Sequence, residues 1–213
     1  MKKNKNSRRK SCCLACTFVV IIAALVYYYF FGSMLLKPIT QYIYIDNDDT
    51  VDSVCNKLAE ISKPSSMTGF RTLVRHTSYS EDIHTGRYEI TKSNGPVAVF
   101  HKLKSGLQAP VSLTVPSVRT LDKLANAVSK KMMFSSKELL DSITDISVCR
   151  KYGYTPETIS CMFIPNTYDL YWNMPIGKFL DKMNSESKKF WSFERKNKAK
   201  AMGLSPVEVI TLA

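Results

Sequence analysis

The chain is poor in the residues that mark most familiar active sites. It has eight glycines and three histidines in 213 residues, with no Gly-rich phosphate loop, no H-E-x-x-H run and no G-x-S-x-G run. Walker-type phosphate binding, zincin-type hydrolysis and a hydrolase nucleophile elbow therefore have no motif to rest on. His76, His84 and His101 are scattered over segments that read as surface; they are taken as solvated side chains rather than ligands. Six cysteines do not make a disulfide scaffold in a chain this long. Cys12, Cys13 and Cys16 sit together near the N-terminus and read as packing residues or acylation sites. Cys55, Cys149 and Cys161 show no C-x-x-C or Cys/His spacing. No metal and no cofactor is expected of them; they read as small buried apolar residues, although their spacing leaves one disulfide open. Acidic residues are absent from the first ten positions, MKKNKNSRRK, which hold six of the 30 basic residues. Half of the net charge of +12 is thus a property of the N-terminus. The remainder has no dense basic cluster interleaved with aromatics, so no nucleic-acid partner is expected. A hydrophobic content of 45% and a charged content of 23% exclude disordered and low-complexity classes.

What is there begins with an apolar run. No charge occurs between Cys12 and Leu36, and ~20 apolar residues suffice to cross a hydrocarbon core as a helix. The basic flank precedes the run, and Tyr27, Tyr28 and Tyr29 lie near its far end, where aromatic rings favour the interface. A cleaved signal would have an apolar core of about 7–15 residues ending in an A-x-A-like site; this one ends in bulky YYYFF. The expectation is a basic cytoplasmic tail over 1–11 and a transmembrane helix over 12–36. The protein would be single-pass in a bacterial inner (plasma) membrane, with its main domain periplasmic or extracytoplasmic.

The rest reads as α+β. Tyr42–Ile45 alternates and is β-branched, as a strand does. Asp46–Asp49 forms a turn and capping cluster, and Val51, Val54, Cys55, Leu58 and Ile61 recur at helical spacing. Pro64 closes that helix, and Met67–His76 gives a second. Thr85–Ile90 reads as a hairpin entry and strand and Val111–Val115 as a strand, with a helix over Val97–Leu103 between them. A βααβ module is therefore expected over 41–106 and a second α+β part over 111–213. Ile43–Leu58 is echoed 70 residues on by Leu113–Val128, with Thr50 on Thr120, Asp52 on Asp122 and Asn56 on Asn126. A short helix over Ser136–Ile143 precedes a loop through Tyr152. A helix from Ile176 is expected to run towards Lys198. Ser205-Pro206 with Glu208 has the capping-box pattern that opens a last, buried helix.

The densest chemical signal is Phe163-Ile-Pro-Asn-Thr-Tyr-Asp-Leu-Tyr-Trp172. Aromatic rings interleaved with amides and hydroxyls suit carbohydrate, because sugars offer apolar faces and many hydroxyls; the same composition also fits a packed turn. Taken in order, Tyr44-IDNDDTVDSV, the Gly86-Arg87-Tyr88 strand, Val115-PSVRTLDKLA, Pro165-Asn166-Thr167-Tyr168 and Leu204-SPVEVITLA resemble the endolytic murein transglycosylases, the MltG or YceG-like family. In that family a strand, "PEG-T" and helix unit occurs twice, followed by "EG-x-L-F-P-D-T-Y" and a helix reading "A-S-I-V-x-x-E".

The resemblance implies a membrane anchor, a LysM-like module over 41–106 and the N-terminal part of a transglycosylase domain over 111–213. It implies Phe163, Asn166, Thr167 and Tyr168 as substrate-binding residues, peptidoglycan glycan strands and the plasma membrane as partners, with cell-wall synthesis proteins besides. It implies no cofactor. Two positions depart from the family: Ser160 stands where it has Glu, and Asn166 where it has Asp. Its catalytic Glu would fall beyond Ala213, so no catalytic residue is assigned here and residues 1–213 are expected to be inactive, with Glu208 a cap. The implied activity is cleavage between N-acetylmuramic acid and N-acetylglucosamine, leaving 1,6-anhydro ends and terminating glycan strands during cell-wall biogenesis. A non-catalytic murein-binding or scaffold protein is the alternative.

Overall fold

A computed structural model describes residues 3–77, 79 and 83–212, with side chains described from Cys16 onward. The protein is α+β and divides into two compact units, Met1–Ala109 and Pro110–Ala213.

The first unit contains α1 (Lys3–Phe30), β1 (Gln41–Ile45), α2 (Val51–Ile61), α3 (Pro64–Arg75), β2 (Gly86–Ile90) and α4 (Pro96–Lys104). β1 and β2 pair antiparallel, with Ile43 opposite Tyr88. Period-2 alternation sends Ile43, Ile45, Tyr88 and Ile90 inward. There they meet Val54 and Leu58 of α2, Phe70 of α3, and Val99, Phe100 and Leu103 of α4. Pro64 opens α3 as well as separating it from α2: its fixed φ suits the first turn, where its missing N–H costs nothing. Thr50 caps α2 by accepting the Ser53 amide. Lys57 then ties the helix back to the strand, donating to the Tyr44 carbonyl at 2.9 Å, to Asp46 at 3.1 Å and to Asp49.

The N-terminal expectation requires correction. Among the described residues no helix is long and apolar enough to cross a membrane. Cys12 and Cys13 lie outside the described side chains. The helix ends at Phe30, short of the expected Leu36. Met34 and Leu35 are instead buried in the first unit's core. The Met34 amide donates to the Asn94 carbonyl at 3.0 Å, the Leu36 amide to the Ile61 carbonyl at 2.9 Å, and the Met34 carbonyl accepts from the Lys63 amide at 2.8 Å. Gly69 on α3 lies so close to the Tyr29 carbonyl that a Cβ there would collide with it. The fold class is thus α+β without the expected transmembrane helix, and the single-pass placement in the inner membrane is overturned with it.

The second unit contains β3 (Val111–Val115), α5 (Leu121–Ser129), α6 (Ser136–Thr144), α7 (Ile146–Tyr152), a 3-10 turn (Ile159–Met162), β4 (Asn166–Leu170), α8 (Ile176–Phe190), α9 (Phe193–Ala201) and α10 (Pro206–Leu212). It repeats the plan of the first. β3 and β4 pair antiparallel, with Leu113 opposite Tyr168. Thr120 caps α5 by accepting the Lys123 amide, as Thr50 caps α2. The sequence echo therefore extends into the strand pairing, where the sequence shows little sign of it. The Lys57 tether is not repeated: Ala127 stands at the corresponding position.

Three expectations in this unit give way to local chemistry. The loop read through Tyr152 holds α7, because Asp145 accepts the Ser147 and Val148 amides and Gly153 closes the helix at φ 83°. The helix expected to reach Lys198 breaks at Trp191, and Ser192 caps a new one by accepting the Arg195 amide. The last helix was expected to be buried; none of the α10 residues is, and Leu212 is 74% exposed. The four cysteines with described side chains, Cys16, Cys55, Cys149 and Cys161, are all free.

Asp49 gives the first unit an acid-sensitive point. Its burial favours the neutral form, but hydrogen bonds from Lys57, Ser53 and the Asp46 amide outweigh that and hold its pKa below the ordinary carboxylate value. A depressed folded-state pKa adds stability above the unfolded value of ~3.9 that disappears as pH falls through the folded value. Thermal unfolding of the wild type should therefore lose stability as pH falls from about 5 to below 4. Asp49→Asn should be less stable at neutral pH and show a smaller loss over that range.

Candidate functional site

The sequence signal at Phe163–Trp172 resolves into two faces. Phe163, Ile164 and Pro165 run from the 3-10 turn into β4, and β4 then alternates with Tyr168 and Leu170 inward. Tyr168 is buried, and its phenol donates to the Ile164 carbonyl, four residues back, at 2.7 Å. Tyr88 does the same in the first unit, donating to the His84 carbonyl at 2.8 Å. Burial pushes the Tyr88 phenol up to about 12 and raises Tyr168 as well, with Glu186 adding to the latter. The P-N-T-Y tyrosine is thus the second copy of an architectural bond that fastens each returning strand to the segment before it.

Thr167 lies on the exposed side of β4, and Asn166, on the side of Tyr168 by alternation, is exposed because it begins the strand. Thr167 shares a hydrogen bond of 2.9 Å with Thr114, and next to it Ser112 donates to Asp169 at 2.7 Å. Phe163 faces elsewhere. With Ile164 and Pro165 it walls a groove of about 460 Å³, completed by Phe190 and Trp191 at the end of α8, by Arg195, Lys198, Ala199 and Met202 on or next to α9, and by Val209 and Ile210 of α10. Of the four residues expected to bind substrate, the fold buries Phe163 beneath this groove, sets Thr167 on the outer sheet face, leaves Asn166 exposed at the start of β4, and turns Tyr168 inward.

The groove is mostly apolar, with cations on one side. Arg195 Nη1 donates to the Phe190 carbonyl at 2.7 Å, and its guanidinium lies 4.2 Å from the centre of the Phe190 ring. Lys198 pairs with Glu194 at 2.7 Å on the exposed side of α9. Among the described residues no carboxylate lines the groove. Glu208 lies on α10 but is spent on the capping box: it accepts the Ser205 amide at 2.7 Å, and its own amide donates to Ser205 Oγ at 3.3 Å. Those bonds lower its pKa, the wrong direction for a group that must carry a proton at neutral pH. Glu157 is lowered likewise by a hydrogen bond with Thr155. Among the described residues no cluster of His, Cys, Asp and Glu could hold a metal ion.

Trp191, Phe190 and Arg195 are the groove residues that the sequence pattern did not single out. The available signal was the run Phe190-Trp-Ser-Phe193: a serine between aromatics inside an apparent helix is a cap, and a cap turns the following helix away and exposes the rings.

The profile of the YceG-like family matches residues 43–213. No curated protein matches. Among solved structures, a YceG-like protein of Listeria monocytogenes aligns at 16% identity with a TM-score of 0.40, over 78% of this chain and 60% of that one. The chain thus spans 60% of the length of that solved relative.

A tyrosine that fastens a strand should affect stability and not ligand. Tyr168→Phe is expected to cost ~1 kcal/mol in urea unfolding, the net value of one buried hydrogen bond. Its binding to purified sacculi should equal that of the wild type. A loss of binding without a loss of stability would make Tyr168 a ligand-facing residue.

Proposed function

The chain belongs to the YceG-like family, and on that premise we propose that it acts on peptidoglycan as an endolytic transglycosylase, with the groove beside Phe163 holding the glycan strand. The observation that carries this reading is the placing of Phe190 and Trp191, over the buried Phe163, at one groove next to α10, the helix whose sequence matches the opening of the family's acid-bearing motif. Aromatic rings take the apolar faces of pyranoses, and the amide and hydroxyl side chains of Asn166 and Thr167 lie within the same segment to meet sugar hydroxyls. The chemistry needs one carboxylic acid. It protonates the oxygen between N-acetylmuramic acid and N-acetylglucosamine, the bond from that oxygen to muramic C1 breaks, and the muramic 6-hydroxyl closes on C1 while the carboxylate left behind takes its proton. The product is a 1,6-anhydro end. Water does not enter, so the second carboxylate of ordinary glycosidases is not required.

A second reading is favoured by a specific observation. Among the described residues no carboxylate lines the groove, as expected for a protein that binds murein without cutting it. The two readings separate in one experiment. Residues 1–213 should co-sediment with sacculi and release no anhydro-muropeptides detectable by mass spectrometry, since general acid catalysis contributes about 10²–10⁴-fold. A polypeptide carrying the S-I-V-x-x-E continuation after Ala213 should release them, and should stop when that glutamate is changed to glutamine. Binding without cutting in both would establish the binding protein. Anhydro products from residues 1–213 that vanish in Glu208→Gln would move the acid to Glu208.

A further inference from the structure

The groove has a polarity of its own. One wall carries the partly exposed Trp191 above the buried Phe163, and the opposite edge is α9, which carries Arg195, Lys196, Lys198 and Lys200 against Glu194 alone. Lys198 is half-neutralised by its ion pair with Glu194, and both ends of that pair are exposed, where such pairs contribute little. Arg195 is different. Its guanidinium is held in place twice, by the Phe190 carbonyl at 2.7 Å and by the Phe190 ring at 4.2 Å. Among the described residues no carboxylate forms an ion pair with it. A guanidinium has five N–H donors in a planar fork suited to a carboxylate, and the bond to Phe190 occupies one of them. A fixed cation at the edge of an apolar groove is complementary to a ligand that is apolar on one side and anionic on the other.

Neutral glycan alone does not have that character; a murein strand bearing its peptide stems does, because the stems end in free carboxylates. We propose that the groove recognises the peptide-bearing form of the glycan strand, with Arg195 taking a stem carboxylate while Trp191 takes the sugar. This rests on the reading of the groove as the murein site and adds to it a choice between substituted and bare strands. Arg195 is then a specificity residue, and the protein distinguishes strands that still carry stems from strands an amidase has stripped.

The test uses residues 1–213 and two ligands, soluble glycan strands with intact stems and the same strands after amidase treatment, measured by equilibrium binding at low and high salt. The wild type should prefer intact strands by about five- to tenfold at low salt, the range expected of one charge-assisted contact at a solvated edge. The preference should shrink as salt screens it. Arg195→Gln should bring it close to one, Arg195→Lys should keep part of it, and Lys151→Gln, an equal charge loss elsewhere on the same unit, should keep all of it. Wild-type protein on strands whose stem carboxylates have been amidated gives the same answer with no substitution and no question of folding. Equal binding to intact and stripped strands would overturn the inference and leave the murein reading standing. Binding to neither would overturn both. A preference that survives Arg195→Gln, or falls equally with Lys151→Gln, would make the effect bulk charge. Tighter binding to a phosphate-bearing wall polymer, or self-association blocked by Trp191→Ala, would assign the groove to another occupant and overturn the inference as well.

Discussion

A two-stranded antiparallel ribbon is not stable alone in water, and both units of this protein are built around one. Each ribbon has five residues per strand, so its inner face offers only a few apolar side chains and helices must supply the rest of the core. That is why each unit follows its first strand at once with a capped amphipathic helix, and why the second strand returns only after further helices have been laid down. The phenol-to-carbonyl bonds of Tyr88 and Tyr168 belong to the same constraint. A ribbon with one partner strand is free to fray, and a tyrosine that bonds four residues back pins the returning strand to its approach.

The elements that local rules govern were legible in the sequence. β1, β3 and α2 follow from alternation and helical spacing; the echo aligns Thr50 with Thr120 without marking either as a cap, and the pattern puts capping one residue early, at Asp46–Asp49. Boundaries that depend on competition between rules were less so. Pro64 both separates α2 from α3 and starts α3, and the pattern alone suggests only the first. Ser192 divides what apolar spacing reads as one helix. Asp145 and Gly153 bracket a helix of only seven residues, too short to show a periodicity. The largest misreading is the N-terminal run. Hydropathy treats Met34 and Leu35 as more of the same apolar stretch, whereas their backbone pairs with the α2–α3 connection and their side chains join a core. Hydropathy counts apolar residues without registering which surface they will meet.

The site shows the same division. The segment Phe163–Trp172 was visible because its composition is unusual, but its alternation decides which residues can face a ligand, and strand pairing fixes that alternation. Tyr168 faces inward with Leu113 opposite it, and Phe163, just after the 3-10 turn, is buried beneath the groove. The far wall comes from residues some thirty positions later, on helices whose turn depends on a serine cap. No spacing within the chain announces that Phe163 and Trp191 will line one groove.

Building one topology twice has a consequence for how the chain reaches its native state. Strands of equal length with inward tyrosines at matching positions can exchange partners during folding, a hazard of repeated architectures. The outer faces discriminate between the copies. In one, Tyr42 lies under the Arg87 guanidinium and bonds Glu89; in the other, Ser112 bonds Asp169 and Thr114 bonds Thr167. A ribbon assembled from β1 and β4 would forfeit both sets of cross-strand pairs while keeping the apolar inner face. The divergence of the two exposed faces therefore works as a proofreading code, one that raises the cost of the wrong pairing without altering the core that both pairings would share.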